Sequence, residues 1–304
     1  MTTVTPVIPH LWFDREAAEA ARFYTSLFPD SAVDFVGKIR NTPSGDCDIV
    51  AFRLFGQPFR AIAAGPMFRF NPSISLSLHF DAMRDATARD RLDAAWEQLS
   101  SGGSVLMPLD AYPFSPRYGW VQDRFGLSWQ LTLSAESPAP PPAIMPTLMF
   151  CGEVYGNAEE AGLFYRKVIG DSEAGLLLRY GEDMPPNRAG TVLVSSFRLG
   201  DTWIAAMDNA YPHGFSFNEA FSFMVLCRDQ AEIDRHWRTL SAVPEAEACG
   251  WCKDRFGLSW QIVPAWLDTA LRSGDQERVD RVIQALLPMK KIDVAALQAA
   301  FGAG

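Results

Sequence analysis

The side chains in this sequence best placed to do chemistry lie in a stretch that occurs twice. Residues 119–131 read GWVQDRFGLSWQL and residues 250–262 read GWCKDRFGLSWQI, ten identities in thirteen positions. Side chains alternate along a strand, so Ser128 and Gln130 share one face while Trp129 and Leu131 share the other; Ser259 and Gln261 pair likewise. An amide beside a hydroxyl either orients a polar small molecule or satisfies backbone groups inside a curved sheet, and both readings stay open. Trp12, Trp120 and Trp251 either line a pocket wall or pack in the core, and Tyr112, Phe114 and Tyr118 add aromatic surface near the first copy. Cys249 and Cys252 form a Cys-x-x-Cys that precedes a turn and a strand, whereas redox pairs of this spacing sit at a helix N-terminus. No second pair completes four zinc ligands, which leaves Cys249 as a single thiol in a pocket. Asp123-Arg124 and Asp254-Arg255 precede a Gly, which predicts tight turns with a local ion pair.

The remaining composition narrows the class. The chain has 304 residues, 48% hydrophobic and 21% charged, with a net charge of −9. It is long enough for two packed cores, and disordered and fibrous classes are excluded. The acidic balance and the lack of any Lys/Arg cluster speak against nucleic acid and anionic membrane surfaces as partners. No apolar run approaches a membrane span, the N-terminal residues lack a signal-peptide pattern, and five cysteines make no disulfide framework, so a cytoplasmic protein is expected.

The repeat extends upstream. FYTSLFPDS at 23–31 answers FYRKVIGDS at 164–172, and FRL at 52–54 answers FRL at 197–199. The drift in offset is largest before the shared Gly-Trp, where the first copy carries about ten more residues in VLMPLDAYPFSPRYGW. The expected organisation is a first copy at 1–133, a proline-rich linker at 134–143, a second copy at 144–264 and a tail at 265–304. Ala17, Ala20, Ala21 and Tyr24 have helical spacing after Asp14, a candidate N-cap; residues 158–169 repeat the stripe, and Leu92, Ala95 and Leu99 answer Ile233, His236 and Leu240. Apolar-alternating segments at 49–55, 58–63, 74–80 and 127–133, with counterparts at 191–199, 202–207, 221–227 and 258–263, predict strands. The fold class is α+β, without the strand-helix alternation of a dinucleotide-binding fold. In the tail, Val279, Val282, Ile283 and Leu286 form one stripe and Leu297 and Phe301 another, suited to packing on the second copy or to a homodimer contact.

PHLWFDREAAEAARFYTSLFPDS, FRLFGQPFRAIAAGP, FNPSISLSLHF and the two DRFGLSWQ stretches resemble the PhnB-like branch of the vicinal oxygen chelate superfamily. That superfamily also holds glyoxalase I, bleomycin-resistance proteins and extradiol dioxygenases. The resemblance implies tandem domains with two βαβββ modules each, four in all, their mixed or antiparallel sheets curling around clefts, followed by a helical tail. Members are often labelled 3-demethylubiquinone-9 3-methyltransferase, yet the sequence has no Gly-rich strand-to-helix turn for S-adenosylmethionine. Metal-dependent relatives hold an ion through His, Gln or Glu on the first and last strands of paired modules. Here Gln130 and Gln261 stand at the carboxylate position, and His10 on the first strand is answered by Thr147. With only four histidines (His10, His79, His213, His236), no metal and no other cofactor is expected. The implied ligand pocket comprises His10, Trp12, Trp120, Ser128, Gln130, Cys249, Trp251, Ser259 and Gln261. Its ligand is a small polar organic molecule, taken by a lyase- or isomerase-type enzyme without metal, by a non-catalytic binder that sequesters a toxic compound, or by a metal-dependent enzyme.

Overall fold

In the computed structural model, which describes residues 5–134 and 141–302, the elements follow the sequence repeat, but the sheets do not. The first copy runs β1 (Val7–Phe13), α1 (Ala17–Leu27), β2 (Ala32–Thr42), β3 (Gly45–Leu54), β4 (Gln57–Ala63), then β5 (Ile74–Asp81), α2 (Ala88–Ser100), β6 (Ser104–Tyr112), β7 (Ser115–Gln122) and β8 (Ser128–Ser134). The second runs β9 (Ile144–Phe150), α3 (Ala158–Ile169), β10 (Ser172–Arg179), β11 (Val192–Leu199), β12 (Thr202–Asp208), then β13 (Phe221–Cys227), α4 (Gln230–Leu240), β14 (Trp251–Lys253) and β15 (Ser259–Pro264). The last run is one strand short of the expected βαβββ, because the second copy lacks the residues that build the β6–β7 hairpin. Of the expected linker, residues 135–140 lie outside the described residues.

Sheet A has the order β14-β15-β13-β1-β4-β3-β2 and sheet B the order β10-β11-β12-β9-β5-β8-β7-β6. Each curled sheet is therefore half from one copy and half from the other. The seams are the antiparallel pairs β1 with β13 and β5 with β9. Within each half the first strand runs parallel to the last, β1 with β4 and β13 with β15 in sheet A.

The aromatic core, by contrast, stays within each copy. Helix α1 buries Ala17, Ala20, Ala21 and Tyr24, the i, i+3, i+4, i+7 stripe of an amphipathic helix. The Tyr24 ring meets Trp129 of β8 at 5.0 Å, and in the second copy Tyr165 of α3 meets Trp260 of β15 at 5.2 Å. Helix α1 starts at Ala17 with Glu16 at the N-cap position and no side-chain cap, so Asp14 is not the cap its spacing suggested. Strands β2, β6 and β10 escaped the hydrophobic pattern because none of their residues is buried.

The tail forms α5 (Ala265–Leu271), α6 (Gln276–Leu286) and α7 (Val294–Gly302). It packs on the body, but on the first copy as well as the second. Gln276 Nε2 donates to the Lys38 carbonyl at 3.0 Å, and Arg60 of β4 holds Asp268 of α5 through two hydrogen bonds of 2.7 and 2.9 Å. Residues 289–292 take the place of the missing hairpin. The Cys249 and Gly250 amides donate to the Met289 and Lys290 carbonyls at 2.7 and 2.8 Å, and Ile292 is fully buried. Gly250 has φ +86°, and a Cβ there would sit 2.9 Å from Ile292 Cδ1. Gly250→Ala is expected to cost about 2 kcal/mol and to expose the tail to limited proteolysis; an unchanged urea midpoint would refute this seating. Among the described residues no helix is long and apolar enough to cross a membrane.

Candidate functional site

Both sheets carry helices α1 to α4 on one face, and the alternation of each strand sends the other half of its side chains to the opposite, concave face. On β5 the rule is strict: Ile74, Leu76, Leu78 and Phe80 enter the core, while Ser75, Ser77 and His79 face away from it. Strand register then aligns one residue from each of five strands into a row. In sheet B the row is Ala205, Thr147, Ser75, Ser128 and Gln122. In sheet A the equivalent row is Arg60, His10, Ser222, Ser259 and Lys253. The inner serines recur in both. The outer positions differ: neutral in sheet B, a guanidinium, an imidazole and an ammonium in sheet A.

In sheet B, Gln130 Nε2 donates to Ser75 Oγ at 2.7 Å, and the Tyr118 hydroxyl donates to Gln130 Oε1 at 3.0 Å. Ser77 and Thr147 share a hydrogen bond of 2.6 Å across the seam between copies, and Trp120 Nε1 donates to Ser128 Oγ at 2.7 Å. The floor is buried, with Ser75, Thr147, Ser128, Met145 and Met149 all at most 5% exposed. The rim of Trp120, Trp203, Met207 and His79 is only half buried. Burial pushes the His79 imidazole down to about 4 and raises the Tyr118 phenol, with Tyr112 adding to the rise. At neutral pH the centre of this face is uncharged, made of hydroxyl, amide, thioether and indole, and the charged Arg198 and Glu173 stand only on its outer strands.

In sheet A, Gln261 Nε2 donates to Ser222 Oγ at 3.0 Å, the counterpart of Gln130 and Ser75. His10 is 6% exposed, its ring 5.5 Å edge-on from Trp251, and its Nδ1 has no partner. Burial, and then the Arg60 charge, push it down to about 3. Ser259 Oγ is a second buried polar atom without a partner. Trp12 packs on Phe68 and Trp251, its Nε1 donating to the Gly65 carbonyl at 2.8 Å.

The structure thus divides the nine sequence candidates. Trp120, Ser128 and Gln130 lie on sheet B, and His10, Trp12, Trp251, Ser259 and Gln261 on sheet A. Cys249 stands apart, at φ +52° against the tail, its thiol donating to the Leu287 carbonyl at 3.5 Å. Burial raises the Cys249 and Cys252 thiols, the opposite of what a reactive thiolate needs. Arg60, Ser222, Lys253, Ser75 and Thr147 were missed. The alternation in SISLSLHF marked Ser75, but rows spanning two copies are invisible before the pairing is known. The Asp-Arg turns also differ from expectation. Asp123 accepts from the amides of Phe125 and Leu127, from Trp129 Nε1 at 2.8 Å and from the Tyr24 hydroxyl at 2.6 Å. Arg124 instead reaches Glu19 at 3.5 Å and lies over the Phe23 ring, since the carboxylate is already saturated by neutral donors.

Two curled mixed sheets, each backed by helices and built from both halves of a tandem repeat, define the glyoxalase-type α+β class. The solved glyoxalase I of Zea mays shares it, at a TM-score of 0.51 and 13% identity over 89% of this chain and 98% of that one. The sequence profile of the 3-demethylubiquinone-9 3-methyltransferase family matches residues 5–132 and 142–263, and the chain belongs to that family, the PhnB-like branch of the vicinal oxygen chelate proteins. Among solved structures the PhnB protein of Bacillus cereus is 34% identical over 44% of this chain and 100% of its own, with a TM-score of 0.37. A Staphylococcus aureus protein is 31% identical over 43% of this chain and 98% of its own, with a TM-score of 0.17. No curated protein matches the chain.

Proposed function

We propose that the concave face of sheet B binds a small, uncharged, partly aromatic molecule bearing hydrogen-bonding oxygens, and that it does so without a metal ion. The observation that carries this reading is the neutral row Ala205, Thr147, Ser75, Ser128, Gln122 with Gln130 above it. Hydroxyls and amides orient a polar ligand edge, while Met145, Met149, Trp120 and Trp203 offer polarizable apolar surface.

The donor sets do not fit a divalent cation. Sheet B offers neutral oxygens and the single His79 imidazole, in sheet A the Arg60 guanidinium stands in the strand next to His10, where it would repel a dication, and among the described residues no three His, Cys, Asp or Glu side chains converge. Methyl transfer, the activity in the family's description, would need a cofactor site, and neither sheet is the parallel, doubly wound kind that seats such cofactors at a strand-to-helix turn. The floor of sheet B also lacks a carboxylate, amine or thiol to act as base or nucleophile, which favours holding a ligand over converting it.

A metabolite-library thermal shift on the purified chain tests the proposal. An uncharged aromatic ligand is expected to raise the midpoint, to be recovered unchanged, and to bind about 10- to 100-fold more weakly to Gln130→Leu and Ser75→Ala, the loss of one or two buried hydrogen bonds. Undiminished binding in both variants would move the site elsewhere. A full equivalent of divalent metal in chain purified without chelators would overturn the metal-free reading.

A further inference from the structure

We propose that the concave face of sheet A is a second binding site, for a small aryl carboxylate, and that Asp268 of the tail occupies its anion-binding position in the structure. The site does not depend on the sheet B reading, since the two faces share no row residue.

Three independent observations support it. The row Arg60, His10, Ser222, Ser259, Lys253 has a cation at each end and hydrogen-bonding groups between. Buried polar groups are mostly hydrogen-bonded, whereas His10 Nδ1 and Ser259 Oγ are both buried and without partners. A carboxylate is already seated: Asp268 meets Arg60 in the planar two-point geometry that guanidinium offers carboxylates, with both side chains mostly buried at 14% and 11% exposed. The walls are aromatic. Trp12 and Trp251 stand 6.1 Å apart in an edge-to-face pair beside the row, and Met224 of β13 is half-buried in register with Gln261. A flat ring laid against this aromatic pair with its carboxylate on Arg60 would bring ring substituents toward His10 and Ser259.

The other end of Lys253 is already met by Glu219 at 2.7 Å, so Arg60 is the cation that a ligand would claim. To do so it must displace Asp268, which retains a second partner in Arg272 at 2.7 Å on its own helix turn. Burial works against the Asp268 carboxylate, but its hydrogen bond and charge pairing with Arg60, together with Arg272, hold it below its ordinary value, so it competes as the anion. Helix α5 is short and follows β15 directly, so its withdrawal leaves both sheets intact.

The test uses the full-length chain with phenylacetate as probe and phenylacetamide as the uncharged control. Asp268→Asn removes the competing charge and keeps the shape, and it is expected to bind phenylacetate at least ~10-fold more tightly than the unaltered chain, as removal of an internal competitor requires. Arg60→Gln is expected to abolish binding, and phenylacetamide to bind neither form. Hydrogen exchange in residues 265–271 of the unaltered chain is expected to rise when phenylacetate is added. The proposal is overturned by equal affinity of the unaltered and Asp268→Asn chains, by binding that survives Arg60→Gln, or by equal binding of the amide. Should Asp268→Asn fail to fold, the exchange measurement decides alone: no change in 265–271 at about 10 mM phenylacetate, a concentration that saturates even a millimolar site, overturns it.

Discussion

Urea unfolding of this chain is expected to move to much lower denaturant as the pH falls from 7 to 4.5. Three of its four histidines, His10, His79 and His236, each hold a ring nitrogen that is buried and without a partner. Burial is the first cause in each case, reinforced for His10 by Arg60 and for His236 by Arg235, and it pushes them to about 3, 4 and 4. In the unfolded chain each titrates near 6.5. A lowered folded value means that the stabilisation is fully present above pH 6.5 and is lost as the pH falls toward the folded values. Near pH 5 the unfolded chain therefore binds two to three more protons than the folded one. The corresponding slope is on the order of 4 kcal/mol per pH unit, against a total domain stability of roughly 5–15 kcal/mol. The chain is expected to unfold in acid before pH 4. A midpoint at pH 4.5 within about 0.2 M of that at pH 7 would show that these rings are hydrated or paired in solution.

Asp123→Ala and Asp254→Ala are expected to be the most destabilising single changes in the repeated motif, each by about 3–5 kcal/mol. The Asp123 carboxylate accepts four hydrogen bonds, from Tyr24, Trp129 and two turn amides; Asp254 accepts from Trp260 Nε1 at 2.8 Å and from the amides of Phe256 and Leu258. Truncation leaves those donors buried and unpaired, at ~1–3 kcal/mol each with partial relaxation. Gln130→Ala and Gln261→Ala remove groups that face away from the core and are expected to cost nearer 1 kcal/mol while changing what the faces bind. Equilibrium urea titration of the four variants separates the roles. An Asp123→Ala loss below about 1 kcal/mol would mean that the Trp129 indole finds another acceptor. The motif thus combines two tasks: its Asp and Trp fix the end of the last strand in the core, and its Ser and Gln are aimed by the pleat to the other side.

The two faces of the last strand were legible from spacing alone, because strand alternation is local, whereas the Asp-Arg spacing pointed to an ion pair and not to the buried acceptor of Tyr24 and Trp129. Also legible were the repeat, helices α1 to α4 and the amphipathic tail stripes, each read from a period within about a dozen residues. The seams were not. β1 pairs with β13 and β5 with β9 across more than half the chain in the first case, and since the two copies have nearly the same pattern, nothing in the sequence favours pairing within a copy or between copies. The contrast between Arg60 and Ala205, the residue that most separates the two faces, becomes meaningful only once those partners are known. Helix α5 was missed because seven residues are too few to show a period. The tail packs on the second copy as its stripes suggested, whereas its contacts with Lys38 and Arg60 of the first copy join residues more than 200 positions apart and leave no local pattern.

The interlaced sheets have an evolutionary consequence. Two identical chains assembled in this way would make two identical concave faces, and every substitution would be written into both. A single chain carrying both copies is released from that duplication. Arg60 could arise opposite His10 while its counterpart became Ala205, and the appended tail could attach to one face alone. Covalent fusion turns a symmetric pair of sites into two that are free to specialise, and in this chain one row is charged and the other neutral.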